Sequence, residues 1–366
     1  MKYSYFDVSN YDKNNLKELD SIRGLMAIFI LGCHFFAAFG YIFPKFGIIT
    51  PFKLLTNATI GLCYFFLLSG FVISYSQQNK MKKASILKYA FNRFWRLFPP
   101  IFISILLMYI FQKNNWLTIS DKTAESSSWL QSLYQFKENT YLINPLYDAI
   151  YNTYIGGNVV YNCNLWAIRF EFLVPMLLII IGPLMHYRYT RISLIIIDIF
   201  LFVWGSEKRW FWMGIMLLGP ILCYYLRLLP YDRIKKWFLT LGLFFIILTN
   251  IISIESVLDF SLHRIINLIS SIVILIMTIN EKCKFKNILL NNRIICSLGK
   301  ASYEIYVFHL FALFTISPLI IIFLKPTLGN YISIIVSYII TIIIVVIFSL
   351  VFHEKISKVC SKYKIK

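Results

Sequence analysis

The sequence predicts an all-α, polytopic membrane protein with about ten transmembrane helices and both termini in the cytoplasm, on three observations. The chain is 58% hydrophobic and only 14% charged over 366 residues, whereas a soluble domain carries about 25% charged residues. The apolar residues come in long blocks, such as Leu25–Phe43, Ile305–Leu324 and Ile332–Phe352, rather than in a stripe of helical period. Blocks of about 18 or more apolar residues are long enough to cross hydrocarbon. Lys and Arg, finally, concentrate in alternate loops.

The predicted spans lie near 22–43, 57–76, 97–111, 165–185, 192–204, 210–226, 237–254, 261–279, 300–324 and 331–353. Backbone inside lipid has no water to bond, so such runs are expected to be helical. The segment 77–96 holds Lys80, Lys82, Lys83, Lys88, Arg93 and Arg96 with no acid. With the N-terminus inside, 26 basic residues fall on the cytoplasmic side and nine outside, Arg169 lies within the membrane, and the acids divide seven and seven. This asymmetry fits the positive-inside rule. Residues 1–20 and the basic tail 354–366 are therefore expected in the cytoplasm. The long loop 112–164, with aromatic residues that include Trp116, Trp129, Tyr154 and Tyr161, is expected outside.

The net charge of +19 would point to nucleic acid in a soluble protein. Here the positive loops set topology and meet anionic lipid, so the expected partner is the bilayer and not nucleic acid. Seven cysteines show neither metal-ligand spacing nor a paired framework, so neither a metal nor structural disulfides are expected. The N-terminus is polar to about Asp20 and no cleavable signal peptide is read there. No repeat or linker divides the chain, and 1–366 reads as a single membrane domain.

Ionisable side chains inside spans are costly, which makes each one a candidate for function. They are His34, Arg169, Glu171, Asp198, Glu304 and His309. Arg23 sits at the cytoplasmic mouth of the first span, eleven positions before His34. Eleven residues make about three turns, so the two share a helix face, with His34 roughly 16 Å deeper. An imidazole titrates near neutrality and suits proton or acyl transfer; Arg23 suits an anionic substrate arriving from the cytoplasm. The alternative is a His bonded to a neighbouring helix and an Arg reaching for the interface. Arg93 and Arg96 lie three apart ahead of Pro99 and Pro100; on a helix their guanidinium groups would share a face and grip phosphates, the alternative being topological charge alone. In the run Tyr64–Phe71, Gly70 permits close helix approach and Ser69 can bond across helices. Glu171, about two turns into the fourth span, could orient a hydroxyl or a histidine. His309 is a second deep imidazole, and five positions place Glu304 off its face.

In order along the chain stand Leu19-Asp20-Ser21-Ile22-Arg23-Gly24 with His34, Phe65-Phe66-Leu67-Leu68-Ser69-Gly70-Phe71, Arg93-x-x-Arg96 with Pro99, Leu165-Trp166 with Glu171, and Ser302-Tyr303 with Tyr306 and His309. Together they resemble acyltransferase family 3, integral-membrane enzymes that O-acylate surface polysaccharides, in its stand-alone form without an appended extracellular hydrolase-like domain. The resemblance implies a bacterial cytoplasmic-membrane O-acyltransferase, acetyl being the expected group. It implies acyl-CoA, such as acetyl-CoA, as a cytoplasmic co-substrate with no permanently bound cofactor. The implied acceptor is a glycan or lipid-linked glycan (O-antigen, capsule or lipopolysaccharide) reached from outside. His34 and Glu171 are then the expected catalytic pair, and Arg23, Arg93 and Arg96 the donor-binding groups. Asp20, Ser69, Trp166, Tyr303 and His309 are expected in support. The run around Glu171, Phe170-Glu171-Phe172-Leu173-Val174-Pro175, departs from the longer acidic and aromatic run common in the family. The rival class is a polysaccharide or small-molecule exporter, which intramembrane His and Glu also suit; no matched pair of broken spans supports it.

Overall fold

The computed structural model describes residues 13–40, 57–78, 86–118, 127, 129, 143–204, 210–228, 260–279 and 290–362. Among them every regular element is helical. In chain order they are α1 (Lys13–Phe39), α2 (Ala58–Gln78), α3 (Ile86–Lys113), a short turn Pro145–Tyr147 that continues as the π-helix Asp148–Gly156, the 3-10 turn Cys163–Ala167, α4 (Ile168–Ile181), the 3-10 turn Gly182–His186, α5 (Arg188–Trp204), α6 (Trp210–Leu228), α7 (Phe260–Ile279), α8 (Arg293–Lys300) and α9 (Ser302–Lys362).

Six of these helical stretches are long and apolar enough to cross a membrane, among the described residues. The last runs through Ser302–Ile356 and is broken at Gly329, whose φ of 72° and ψ of 174° are not helical. The two arms, 302–328 and 330–362, fold back on each other. Ser317 and Thr341 hydroxyls meet at 2.8 Å, Phe308 packs edge-on against Phe348, and His353 Nδ1 lies 2.9 Å from Glu304 Oε1. The predicted spans 300–324 and 331–353 are thus one helical hairpin. Apolar helix Trp210–Leu226 is shorter than a full span, and the predicted span 237–254 lies outside the described residues.

The chain divides into two compact units, one of Met1–Met26, Thr59–Phe91 and Phe170–Gly299, the other of Ala27–Ala58, Asn92–Arg169 and Lys300–Lys366. In the first, glycines set the helix crossings. A Cβ on Gly70 of α2 would lie 1.9 Å from the Met216 carbonyl oxygen, and one on Gly219 of α6 would lie 2.4 Å from Phe71 N. The two backbones therefore touch, as small residues allow between apolar helices. Gly24 of α1 and Gly299 of α8 make the same kind of contact, at 2.5 Å between the added Cβ and Gly299 N. Ser21 Oγ donates to Leu290 O at 2.9 Å beside it. The α5–α6 hairpin buries Met185, Leu194 and Ile221 together, and Arg191 caps the preceding turn by donating to Met185 O and His186 O, both at 2.8 Å.

In the second unit α3 and the first arm of α9 run side by side in one direction. Tyr303 OH donates to Leu97 O at 2.9 Å, Ser104 Oγ to Val307 O at 3.3 Å, and Phe111 packs on Phe311. Helix α3 starts at Ile86, well before the predicted span at 97. It runs through Pro99 and Pro100, where two absent N–H donors leave carbonyls of the preceding turn without their usual partners.

The segment 145–164 follows α3 rather than standing clear of it. Tyr161 packs edge-on against Tyr109, near the C-terminal end of α3, and Tyr154 packs against Phe94, near its start. Those two α3 residues are about four turns apart, roughly 22 Å. Buried Asp148 ties the fold-back together by accepting from Asn152 Nδ2 at 2.7 Å and from the backbone N–H groups of Val160 and Tyr161 at 3.1 Å. Gly157, at φ 75°, ends the π-helix in the left-handed conformation that only glycine enters at little cost. The chain then returns so that Asn162 Nδ2 donates to Ser104 Oγ at 2.6 Å and to Val307 O at 2.9 Å.

Candidate functional site

Two residues after Asn162, the 3-10 turn places Asn164 beside two imidazoles. His34 of α1 and His309 of α9 approach edge to edge, with Nδ1 of His34 2.9 Å from Nε2 of His309. The ring centroids are 5.1 Å apart and the planes only 10° from parallel. That centroid distance is close to the N–N distance plus two ring radii, so the rings share a plane and the contact lies along the nitrogen lone pairs. Asn164 Nδ2 sits 2.8 Å from His309 Nε2 and 3.3 Å from His34 Nδ1. His309 Nδ1 lies 2.7 Å from the Tyr306 carbonyl oxygen, and the Tyr306 hydroxyl donates to the Asn164 carbonyl. The Trp129 indole lies nearly parallel to the His34 ring at 5.2 Å. Nearby, Ser127 Oγ donates to Ala37 O at 2.6 Å.

His309, Asn164 and Tyr306 are buried, and His34 is half-buried. The cluster is therefore a polar centre in apolar surroundings, in which buried polar groups must bond one another. Of these four, His34, the histidine that the sequence marks as catalytic, is the partly accessible one. The sequence pattern picks out both histidines. It gives no sign of Asn164 or Trp129, because neither carries a charge and both lie in the stretch 112–164.

The predicted donor-binding arginines lie on α3 three positions apart, as a helix requires for a shared face. Arg93 is half-buried and Arg96 exposed. The charge of Arg93 acts on Tyr154, and that of Arg96 on Tyr303. Tyr303, expected in support, thus holds α3 by its bond to Leu97 O and lies within the field of Arg96. Glu304 is buried and bonded to His353, away from the His309 face.

In the other unit, Arg23 Nη2 lies 3.1 Å from Asp20 Oδ1, one turn back on α1, and 3.5 Å from Gly299 O. Asp20 therefore orients Arg23. Glu171, at the start of α4, accepts a hydrogen bond from Ser69 Oγ at 2.9 Å. Phe170 beside it packs edge-on against Phe66, which lies against Trp212. In the unit that holds His34, Arg169 Nη1 donates to Gly156 O at 3.4 Å. Trp166 lies half-buried in the 3-10 turn that carries Asn164.

The described residues form an all-α membrane protein with two facing imidazoles and a helical Arg-x-x-Arg, and the family comparison places it among the integral-membrane acyltransferases. The model of the acyltransferase domain family, acyltransferase family 3, matches residues 16–354, nearly the whole length, and the chain belongs to that family. Comparison with curated proteins and with solved structures gave no match.

Proposed function

We propose that the protein is an O-acetyltransferase of a bacterial cytoplasmic membrane that moves acetyl from acetyl-CoA to a hydroxyl of a surface glycan. The observation that supports this most is the His34 imidazole, partly accessible and held edge-on by His309. A thioester is already activated, so the reaction needs a positioned base rather than a metal. His34 takes the proton of the acceptor hydroxyl as that oxygen attacks the thioester carbonyl carbon. The tetrahedral intermediate then collapses, the C–S bond breaks, and the proton passes from His34 to the departing thiolate. Arg93 and Arg96, one turn apart, suit the phosphates of the donor. The sequence pattern adds Arg23 to the donor side and assigns Glu171 to the acceptor hydroxyl.

The test follows radiolabelled acetyl from acetyl-CoA onto glycan in membranes that contain the protein. Wild type is expected to transfer, and His34→Ala is expected to insert normally without transferring. Full transfer by the alanine variant would overturn the role of His34. Glycan export without any transfer by wild type would favour the exporter instead.

A further inference from the structure

We infer that His34 is held in a single tautomer, with its proton on Nδ1 and its lone pair on Nε2, by a closed hydrogen-bond ring of His309, Tyr306 and Asn164. The inference rests on the acyl-transfer reading for its purpose, but its geometry does not depend on it. The chain of assignments begins at a group with no freedom. A backbone carbonyl only accepts, so His309 Nδ1, 2.7 Å from Tyr306 O, carries a proton and donates it there. Neutral His309 then has its lone pair on Nε2. Two nitrogens face that lone pair, His34 Nδ1 at 2.9 Å and Asn164 Nδ2 at 2.8 Å. His309 Nε2 has one lone pair, and His34 Nδ1 must be its protonated partner, since two bare nitrogens at 2.9 Å would repel; Asn164 Nδ2 lies beside both, 2.8 Å from His309 Nε2 and 3.3 Å from His34 Nδ1. His34 therefore carries its proton on Nδ1, and Nε2, on the opposite side of the ring, is the basic atom.

Asn164 closes the ring. Its carboxamide N–H donates to His309 Nε2 while its backbone carbonyl accepts the Tyr306 hydroxyl. Tyr306 thus meets the ring twice, through its carbonyl to His309 and through its hydroxyl to Asn164. Tyr306 is held in a role it cannot reverse, its hydroxyl donating to a carbonyl, while the Asn164 carboxamide turns its N–H toward the His309 lone pair. The dry surroundings make reversal costly, since a bare Nδ1 on His34 would set two lone pairs face to face at 2.9 Å. When Nε2 of His34 takes the acceptor proton, the new positive charge is shared through the Nδ1–H bond with His309. His309 and Asn164 are in this sense positioning residues, which act on the reaction only through His34.

Two measurements test this. Solid-state nitrogen NMR on membranes with 15N-histidine distinguishes a protonated ring nitrogen from a bare one. The chain has five histidines, and the His34 pair is the one lost in His34→Gln. A protonated Nδ1 and a bare Nε2 are expected in wild type; the reverse would overturn the inference whatever the enzyme does. The second measurement is acetyl transfer by three variants that insert and melt like wild type. His309→Gln presents an acceptor oxygen near the position of Nε2 and is expected within about tenfold of wild type. His309→Leu offers no acceptor and is expected to lose about 10²-fold or more in kcat, toward the roughly 10⁴-fold loss seen when a catalytic imidazole loses its tautomer-setting partner. Asn164→Asp is isosteric but turns a donor into an acceptor, which draws the proton of His309 to Nε2, and it is expected to fall with His309→Leu. Equal activity in all three would sink the tautomer argument while leaving the acyltransferase reading, which wild type and His34→Ala decide, intact.

Discussion

In the proposed reaction, His34 is the residue on which the chemistry turns. Removal of a general base slows a reaction by about 10²–10⁴-fold, and that is the loss expected for His34→Ala in the acetyl-transfer assay, with unchanged protein yield in the membrane. The arginines on α3 act differently. A charge-assisted hydrogen bond is worth about 1.5–3 kcal/mol, so Arg93→Ala and Arg96→Ala should each raise the KM for acetyl-CoA about tenfold or more. Arg96→Lys should recover only part of that, because an ammonium lacks the planar fork. An unaltered donor KM in both alanine variants would leave these residues with a topological role alone. Ser69 offers a third case, because its hydroxyl donates to Glu171. Ser69→Ala removes that one donor from Glu171 and changes little else in size. If Glu171 handles the acceptor, the variant should weaken acceptor use several-fold and leave the donor KM unmoved.

At the scale of elements, helices touch where glycine leaves room and break where glycine leaves the helical region. The α2–α6 crossing admits no Cβ at Gly70, since the added atom would overlap the Met216 carbonyl at 1.9 Å. Backbone cannot turn aside as a flexible side chain can. Gly70→Ala should therefore cost about 1–3 kcal/mol, the range for overpacking, seen as a lower melting temperature in detergent. Gly329 is the opposite case. Nothing lies within 4 Å of a Cβ placed there, but the φ of +72° with extended ψ is accessible almost to glycine alone. Gly329→Ala should cost a similar about 1–3 kcal/mol, through the backbone and not through packing. A melting temperature equal to wild type would show that the two arms of α9 do not need this break.

For the whole molecule, the question is which way the helices run through the bilayer. The basic-residue asymmetry predicts the C-terminal end of α3 outside and the end of α9 inside. Asn114 and Lys358 are both exposed, which makes them good reporters. Ser127 is not, since it is buried. On a cysteine-free background, Asn114→Cys should react with an impermeant thiol reagent in intact cells, and Lys358→Cys only after lysis. The reverse pattern would invert the topology and place the Arg-x-x-Arg pair on the wrong side for a cytoplasmic donor.

The sequence by itself determined that the chain is helical and made for a membrane, because long apolar blocks and the cost of unbonded backbone in lipid are local properties. It also marked His34, His309, Arg93, Arg96, Ser69 and Glu171, because charge and hydroxyl groups stand out against an apolar background. Helical spacing alone predicted that Arg93 and Arg96 share a face. What only the tertiary structure decided is which of these meet. The spacing that placed His34 on a face of α1 carried no information about His309, 275 positions later, since no local rule links residues on separate helices. The fold-back of 145–164 along α3 was equally hidden. That stretch has the composition of an aromatic surface loop, and its course depends on Asp148 bonding backbone N–H groups twelve and thirteen residues onward. That course carries Asn164, an uncharged residue in an unremarkable context, to the one lone pair that fixes how His34 holds its proton.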